Sequence, residues 1–409
     1  MKKGQAPFVL CCFICVALLS TLMAGNARAQ RVPYEKPKMT KGPSSLEVIL
    51  EPYLEKYGLP ALGAAVVRDG KILAMGAVGT KAAGQQIPVA TGDRFHIGSD
   101  TKAMTALLAA MHVEAGKLRW DSTVEEVFPE LKKILTAGWG QVTLEALLSH
   151  TSGIPADDGR FGRLLGESFE QGDLDLRGLR YWMLSKFVSE PIAAAPRKQF
   201  AYSNMGYMIV GAMIERVTGR SWEELLLERV FVPLRFRSAG FGPQSAVGIV
   251  DAPLPHRIID GKVTPMLAGP NADNPLVLGP AGTVHMSLQD FARWAIWNLG
   301  RGKRGPGLVR AETLARLMTP VVDIPPGKDS APGTPSGGHY ALGWGQKEYP
   351  WAKGPFLCHA GSNGMNLAHI ILDPKNDFGM VLVTNIGGKK ADEGFGILAE
   401  ELYKRYAKE

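Results

Sequence analysis

Apolar positions along the chain change their period twice, and the changes predict where strands give way to helices. Leu46, Ile49, Leu50, Tyr53 and Leu54 recur at the spacing of one helical face, with Ser44 or Ser45 available as a cap, which predicts a first helix ending at Tyr57. The stretch LGAAVVRDGKILAMGAVG then holds two apolar runs around Arg68-Asp69-Gly70-Lys71, and Asp-Gly between such runs predicts a hairpin. A second hairpin is predicted where NLAHIILD and FGMVLVTN flank Pro374-Lys375-Asn376-Asp377, followed by a last helix from about Lys390 to Tyr406.

Between the hairpins the helical period dominates. Strands at both ends with helices between them predict an α+β chain: one antiparallel sheet made from both hairpins, flanked by the terminal helices, with an all-helical lobe at about residues 110–290 inserted. A site at the junction would draw its residues from distant parts of the sequence. Two segments carry neither period. PADDGRFGRLLGESFEQGDLDLRG and the proline- and glycine-dense PVVDIPPGKDSAPGTPSGGH are expected to be loops on the rim of such a site.

The N-terminus reads differently. Lys2 and Lys3, an apolar run from Phe8 to Ala24 and the small-x-small triplet Ala27-Arg28-Ala29 form the pattern of an export signal over residues 1–29. A mature chain from Gln30, periplasmic or secreted, is expected, with the polar residues 30–43 as a linker and 44–409 as the folded body. The alternative is an uncleaved membrane anchor, because the run is close to the length that crosses a bilayer. Cleavage removes Cys11, Cys12 and Cys15, none of which fits a lipoprotein box, and leaves Cys358 alone. Internal disulfides are then excluded, and a lone cysteine is ordinarily buried and inert.

Charge adds little. Of the formal +7, Lys2, Lys3 and Arg28 leave with the leader, so the mature chain is about +4. Basic residues are interspersed with acids and no aromatic-basic stripe appears, which argues against a nucleic-acid partner. Nothing in the sequence specifies an oligomer.

Candidate chemistry lies in three places. In FHIGSDTKAMTALLAAM, Ser99 sits where a helix would begin, with Met104, Leu107, Leu108 and Met111 at helical spacing behind it. Lys102 follows one turn along, so its amine can reach the serine hydroxyl, and helix-start N–H groups favour a developing oxyanion. The competing reading is a serine cap followed by an ordinary lysine. In FAYSNMGYMIVGAMIERVTG, Tyr202 and Asn204 stand two apart before a helix and can project the same way; Ser203 or Asn204 as a cap is the plain alternative. In LCHAGSNGMN, Gly361 would let a substrate lie against a strand edge, and His359 offers a donor or a positive charge unless it is a core histidine.

Other signals fall away. GRGKRG, Gly300 to Gly305, follows a helix-like run and precedes Pro306, so it is a loop and not a dinucleotide fingerprint. No Gly-x-Ser-x-Gly elbow exists, the eight histidines form no metal-ligand spacing, and no phosphate-binding loop is present, so neither a metal nor another cofactor is expected.

Taken together, Ser99-x-x-Lys102, Tyr202-Ser203-Asn204 and His359-Ala360-Gly361 resemble the serine beta-lactamase and penicillin-binding protein superfamily, on its class C beta-lactamase, DD-peptidase and esterase branch. HVEAGKLRWDSTVEEVFPEL, LEALLSHTSGIP and GPAGTVHMSLQDFARW are similar to the family's stretches in the same order. The resemblance implies a beta-lactamase/transpeptidase-like fold, Ser99 as the acylated nucleophile, Lys102 as its proton partner and Tyr202 as general base and acid. It implies Asn204, His359 and Gly361 as substrate contacts, the backbone N–H groups of Ser99 and Ser362 as the oxyanion hole, and a structural role for His150. The expected activity is hydrolysis of an ester, amide or D-amino-acid peptide through an acyl-enzyme, with a small-molecule or peptide acyl substrate as the only implied partner. Beta-lactamases usually carry lysine and then threonine or serine where this chain has His359 and Ala360. A beta-lactamase proper, or a penicillin-binding sensor with slow deacylation, is therefore the alternative. Free lysine and tyrosine both titrate near pH 10, so either acts as a base at neutrality only if its surroundings shift it.

Overall fold

Both hairpins form. Strands Ala61–Arg68 and Lys71–Gly79 pair antiparallel through Arg68 and Lys71, and the turn residues Asp69 and Gly70 take φ values of +51° and +74°, as a two-residue primed turn requires. Strands Leu367–Asp373 and Phe378–Thr384 close through Asp373 and Phe378. Phe378–Thr384 then pairs with Ala61–Arg68, Val381 opposite Ala65, so the two ends of the chain meet in mid-sheet. The computed structural model describes residues 42–269, 271–327 and 330–407; the segment expected to be an export signal, its three cysteines and the expected linker as far as residue 41 lie outside the described residues.

The sheet has nine strands and extends from Leu367–Asp373 to Pro355–Ser362, Gly345–Glu348, His339–Tyr340 and Val322–Asp323. All its pairings are antiparallel except at one edge, where Ser44–Ser45 runs parallel to Lys71–Gly79. Its interior strand Phe378–Thr384 shows why the apolar run is continuous. Met380 and Leu382 enter the core beneath the terminal helices Glu47–Tyr57 and Lys389–Tyr406, while Val381 and Val383 enter the core over helix Leu288–Leu299.

The first helix spans Glu47–Tyr57 and lacks the expected serine cap: Leu46 occupies the cap position, and Ser45 in the edge strand accepts the Glu47 N–H at 3.3 Å. The inserted region is mainly helical. It also carries the short hairpin His256–Ile259 with Lys262–Pro265, and strands Arg94–His96, Val284–Ser287 and Gly240–Phe241 form a small sheet beside it. Helix Thr101–Glu114, expected to bury one face, is buried on all sides from Thr101 to Ala110, because helices of the insertion surround it.

Of the two expected rim loops, the first is corrected. Pro155–Gly178 contains helix Gly159–Ser168 and the start of helix Leu176–Phe187, capped by Asp158 and Asp175, whose carboxylates accept N–H bonds from Phe161 and Gly178. Three glycines at 159, 162 and 166 conceal the helical period there, but burying Phe161 and Leu164 outweighs their cost. The described residues of the second segment are irregular between its terminal strand residues. Its turn at Pro332-Gly333, closed by Thr334 N–H to Ala331 O at 2.9 Å, lies over the backbone of Ser362.

Two glycines should respond oppositely to a methyl group. Gly162 lies mid-helix with open space around it, so Gly162→Ala is expected to raise the unfolding free energy by about 0.5–1 kcal/mol in a denaturant titration. At Gly361 an added Cβ would stand 2.0 Å from Ile97 O, so Gly361→Ala is expected to lower it.

Candidate active site

Strand Arg94–His96 leads into Gly98, whose φ of +53° turns the chain into a short 3-10 turn, Gly98–Asp100, and on into helix Thr101–Glu114. Ser99 lies inside this turn and forms no side-chain cap, so the plain reading of a capping serine is not realised. One turn on, the Lys102 side chain is fully buried, with Nζ 2.9 Å from Ser99 Oγ, 2.7 Å from Asn204 Oδ1 and 2.7 Å from the Ala281 carbonyl.

The second motif divides its work. Ser203 caps helix Asn204–Thr218 by accepting the Gly206 N–H at 3.2 Å, which leaves its neighbours free to face Lys102. The Tyr202 ring lies 4.8 Å from Nζ, and Asn204 supplies the amide oxygen already described. His150 holds this turn from behind: Nδ1 accepts the Ser203 N–H at 3.1 Å, and the ring packs on Tyr202 with centroids 4.3 Å apart. That is the structural role expected for it.

The third motif meets the first through backbone. An added Cβ at Gly361 would lie 2.6 Å from Ser99 N, and one at Gly98 would lie 2.6 Å from Ser362 N. The amides of Ser99 and Ser362 therefore sit at one junction that only glycines permit. Strand Gly345–Glu348 pairs with Pro355–Ser362 only as far as Cys358, so among the described residues no strand pairs with that edge from His359 to Ser362. His359 departs from expectation. Its imidazole is turned inward and buried, 3.0 Å from the Tyr340 hydroxyl and 3.5 Å from Asp100 Oδ1, and offers no positive charge to a ligand on that edge.

Ser99, Lys102, Tyr202, Asn204, Gly361 and Ser362 thus converge from three segments a hundred or more residues apart. A model of the Beta-lactamase family matches residues 46–402. The chain belongs to the beta-lactamase family. It is 28% identical over 340 residues to Penicillin-binding protein 4 of Amycolatopsis lactamdurans, covering 81% of this chain and 82% of that protein. It is 22% identical over 346 residues to Protein flp of Staphylococcus aureus, covering 84% of this chain but only 63% of that protein's length. Among solved structures, the octameric penicillin-binding protein homologue from Pyrococcus abyssi superposes with a TM-score of 0.67 at 22% identity, over 87% of this chain and 76% of that one. The architecture is accordingly the mixed α+β fold of that family, a large sheet flanked by helices.

Electrostatics distinguish the two titratable candidates. Burial pulls the Lys102 ammonium down to about 7, with the carboxylates of Asp157 and Asp100 working against that shift. Burial moves the Tyr202 phenol the other way, upward; Ser99 is near enough to oppose this, although no hydrogen bond of good geometry joins them. Burial also raises the Asp100 carboxyl well above the carboxylate range and lowers His359 to about 3. Both shifts run away from the charged forms, as burial dictates. Burial raises the Cys358 thiol to about 11, as suits an inert cysteine.

Sequence reasoning passed over Asp157 and Asp100. Asp157, in the stretch expected to be loop, stands exposed on the rim, and its carboxylate accepts the Asn204 backbone N–H at 3.1 Å and the Asn204 side-chain amide. Its signal was the capping context of the helix beside it. Asp100 lies within the first motif, but only tertiary packing shows that it is buried.

Modification of Ser99 by a fluorophosphonate is expected to accelerate as pH rises through about 7, the value to which burial brings Lys102. The Asp157 carboxylate favours the ammonium, so in Asp157→Asn the rise should move to lower pH. A profile displaced upward, or flat from pH 5 to 9, would remove Lys102 as the controlling group.

Proposed function

We propose that this member of the beta-lactamase family is an exported hydrolase that forms an acyl-enzyme on Ser99 and acts on an ester, amide or D-amino-acid peptide. The observation that carries the reading is the 2.9 Å separation of Ser99 Oγ from a fully buried Lys102 amine brought down to about 7. A lysine in water is almost wholly protonated at neutrality, whereas this one supplies a useful fraction of free amine. In the proposed reaction neutral Nζ takes the Oγ proton as Oγ bonds to the acyl carbon. The bond to the leaving oxygen or nitrogen then breaks, and the Tyr202 hydroxyl, kept protonated by burial, is placed to donate to it. Water gives a proton to the Tyr202 phenolate as it attacks the ester carbon, the carbon–Oγ bond breaks, and Lys102 returns its proton to Oγ.

Asn204 orients both the amine and the acyl substrate, and the amides of Ser99 and Ser362 receive the developing negative charge. An extended peptide backbone that hydrogen-bonds along the edge from His359 to Ser362 would share its Ser362 end with the turn at Pro332-Gly333. The names of the relatives agree with such a substrate, since they include penicillin-binding proteins. Beta-lactam drugs fit less well. The lysine and hydroxyl by which beta-lactamases hold the drug carboxylate are replaced by a buried, neutral His359 and by Ala360. Export rests on the pattern at residues 1–29.

A panel of a short-chain nitrophenyl ester, a D-alanyl-D-alanine peptide and a chromogenic cephalosporin tests the reading. Turnover of the ester and weak or absent cephalosporin cleavage are expected, with loss of about 10⁴-fold or more in Ser99→Ala. Fast cephalosporin hydrolysis would favour a beta-lactamase proper. Absence of any Ser99 adduct by mass spectrometry would end the acyl-serine proposal.

A further inference from the structure

A buried polar cluster lies against the junction of the first and third motifs and takes no part in the proton transfers above. Its centre is Asp273, nearly inaccessible, in the stretch between the hairpin His256–Ile259/Lys262–Pro265 and the turn Leu276–Leu278. Asp273 Oδ1 accepts the Asn363 side-chain N–H at 3.0 Å and the Asn274 backbone N–H at 2.6 Å, and stands 2.7 Å from His96 Nε2. We propose that Asp273 is a positioning residue that clamps together the two backbone segments carrying the Ser99 and Ser362 amides; the inference rests on the acyl-serine reading and adds to it.

The partners' orientations are determined by their other bonds. His96 Nδ1 accepts the N–H of Gly98, the residue before Ser99, at 3.0 Å. Nδ1 therefore carries no proton, and the ring proton sits on Nε2, facing Asp273. The contact is close but bent, since Nε2 makes no hydrogen bond of good geometry. Asn363, the residue after Ser362, uses its side-chain oxygen for the N–H groups of Met365 and Asn366 at 3.1 and 2.9 Å, so its NH₂ group must point at Asp273. One carboxylate thus reaches, through a single side chain on each side, the neighbours of both proposed oxyanion donors. The glycine contacts bring the two segments near, but glycine is also the residue least able to hold its own backbone angles. A side-chain clamp supplies the missing restraint, and the side chains of His96 and Asp273 are buried, 0% and 3% exposed.

An oxyanion donor acts on the transition state and hardly on bound substrate, so displacing it should lower kcat and leave KM. With the full chain and a nitrophenyl ester, Asp273→Asn and Asn363→Ala are each expected to lower kcat about 10- to 100-fold, with KM changed less than about threefold. Affinity for an alkylboronic acid, whose adduct on serine carries the tetrahedral oxyanion, should fall by the same factor as kcat/KM. The double variant should lose little more than Asp273→Asn alone, because the two residues share one bond. If Asp273→Asn fails to fold, Asn363→Ala on the half-buried side carries the test. Folded variants with kcat within twofold of wild type, or with kcat lowered but boronate affinity retained, would overturn the clamp alone. A wild-type chain with neither turnover nor a Ser99 adduct would overturn the acyl-serine reading first.

Discussion

The site depends on a contact that excludes side chains. Gly98 and Gly361 approach so closely that a methyl on either would penetrate the other segment's backbone, and this approach sets the start of a buried helix against the open edge of a strand. The contact itself is backbone against backbone. It is available because both residues lack Cβ and because Gly98 accepts a left-handed φ. Sheet and inserted helices then pack around the junction, and the amides beside the two glycines become neighbours without any long-range polar bond between them.

Lys102 shows what burial adds to that geometry. On a helix surface it would be one more ammonium, fully charged at neutral pH and contributing a few tenths of a kcal/mol to any pair it formed. Surrounded by the helices of the insertion, the same side chain lies near its titration midpoint, and its contacts with Ser99, Asn204 and the Ala281 carbonyl aim the nitrogen. The groups below it avoid competing charge: His359 and Asp100 are both moved towards their neutral forms, and His150 is held well below its ordinary value by burial.

Much of this was legible in the chain itself. The Asp-Gly turn, the two hairpins and the terminal helix follow from local chemistry, and the Ser99, Tyr202 and Gly361 motifs are recognisable by residue type and spacing. Less legible were features in which a local preference is overruled. Helix Gly159–Ser168 carries three glycines and looks like loop, yet buries Phe161 and Leu164. Ser45 looks like a cap and lies in an edge strand instead. His359 looks like a ligand contact and is an interior imidazole bonded to Tyr340.

Sequence alone determined the two hairpins, the terminal helix, the order of the motifs and the family, because turn residues, apolar period and short-range spacing act within one or two helical turns. Only the tertiary structure decided which titratable groups are dry, which way His359 faces, and that Asp273, far from either motif, lies between His96 and Asn363. The physical reason is distance along the chain. Desolvation and hydrogen bonding at this site are imposed by segments one hundred to nearly three hundred residues away, and their effects exist only once those segments are packed together.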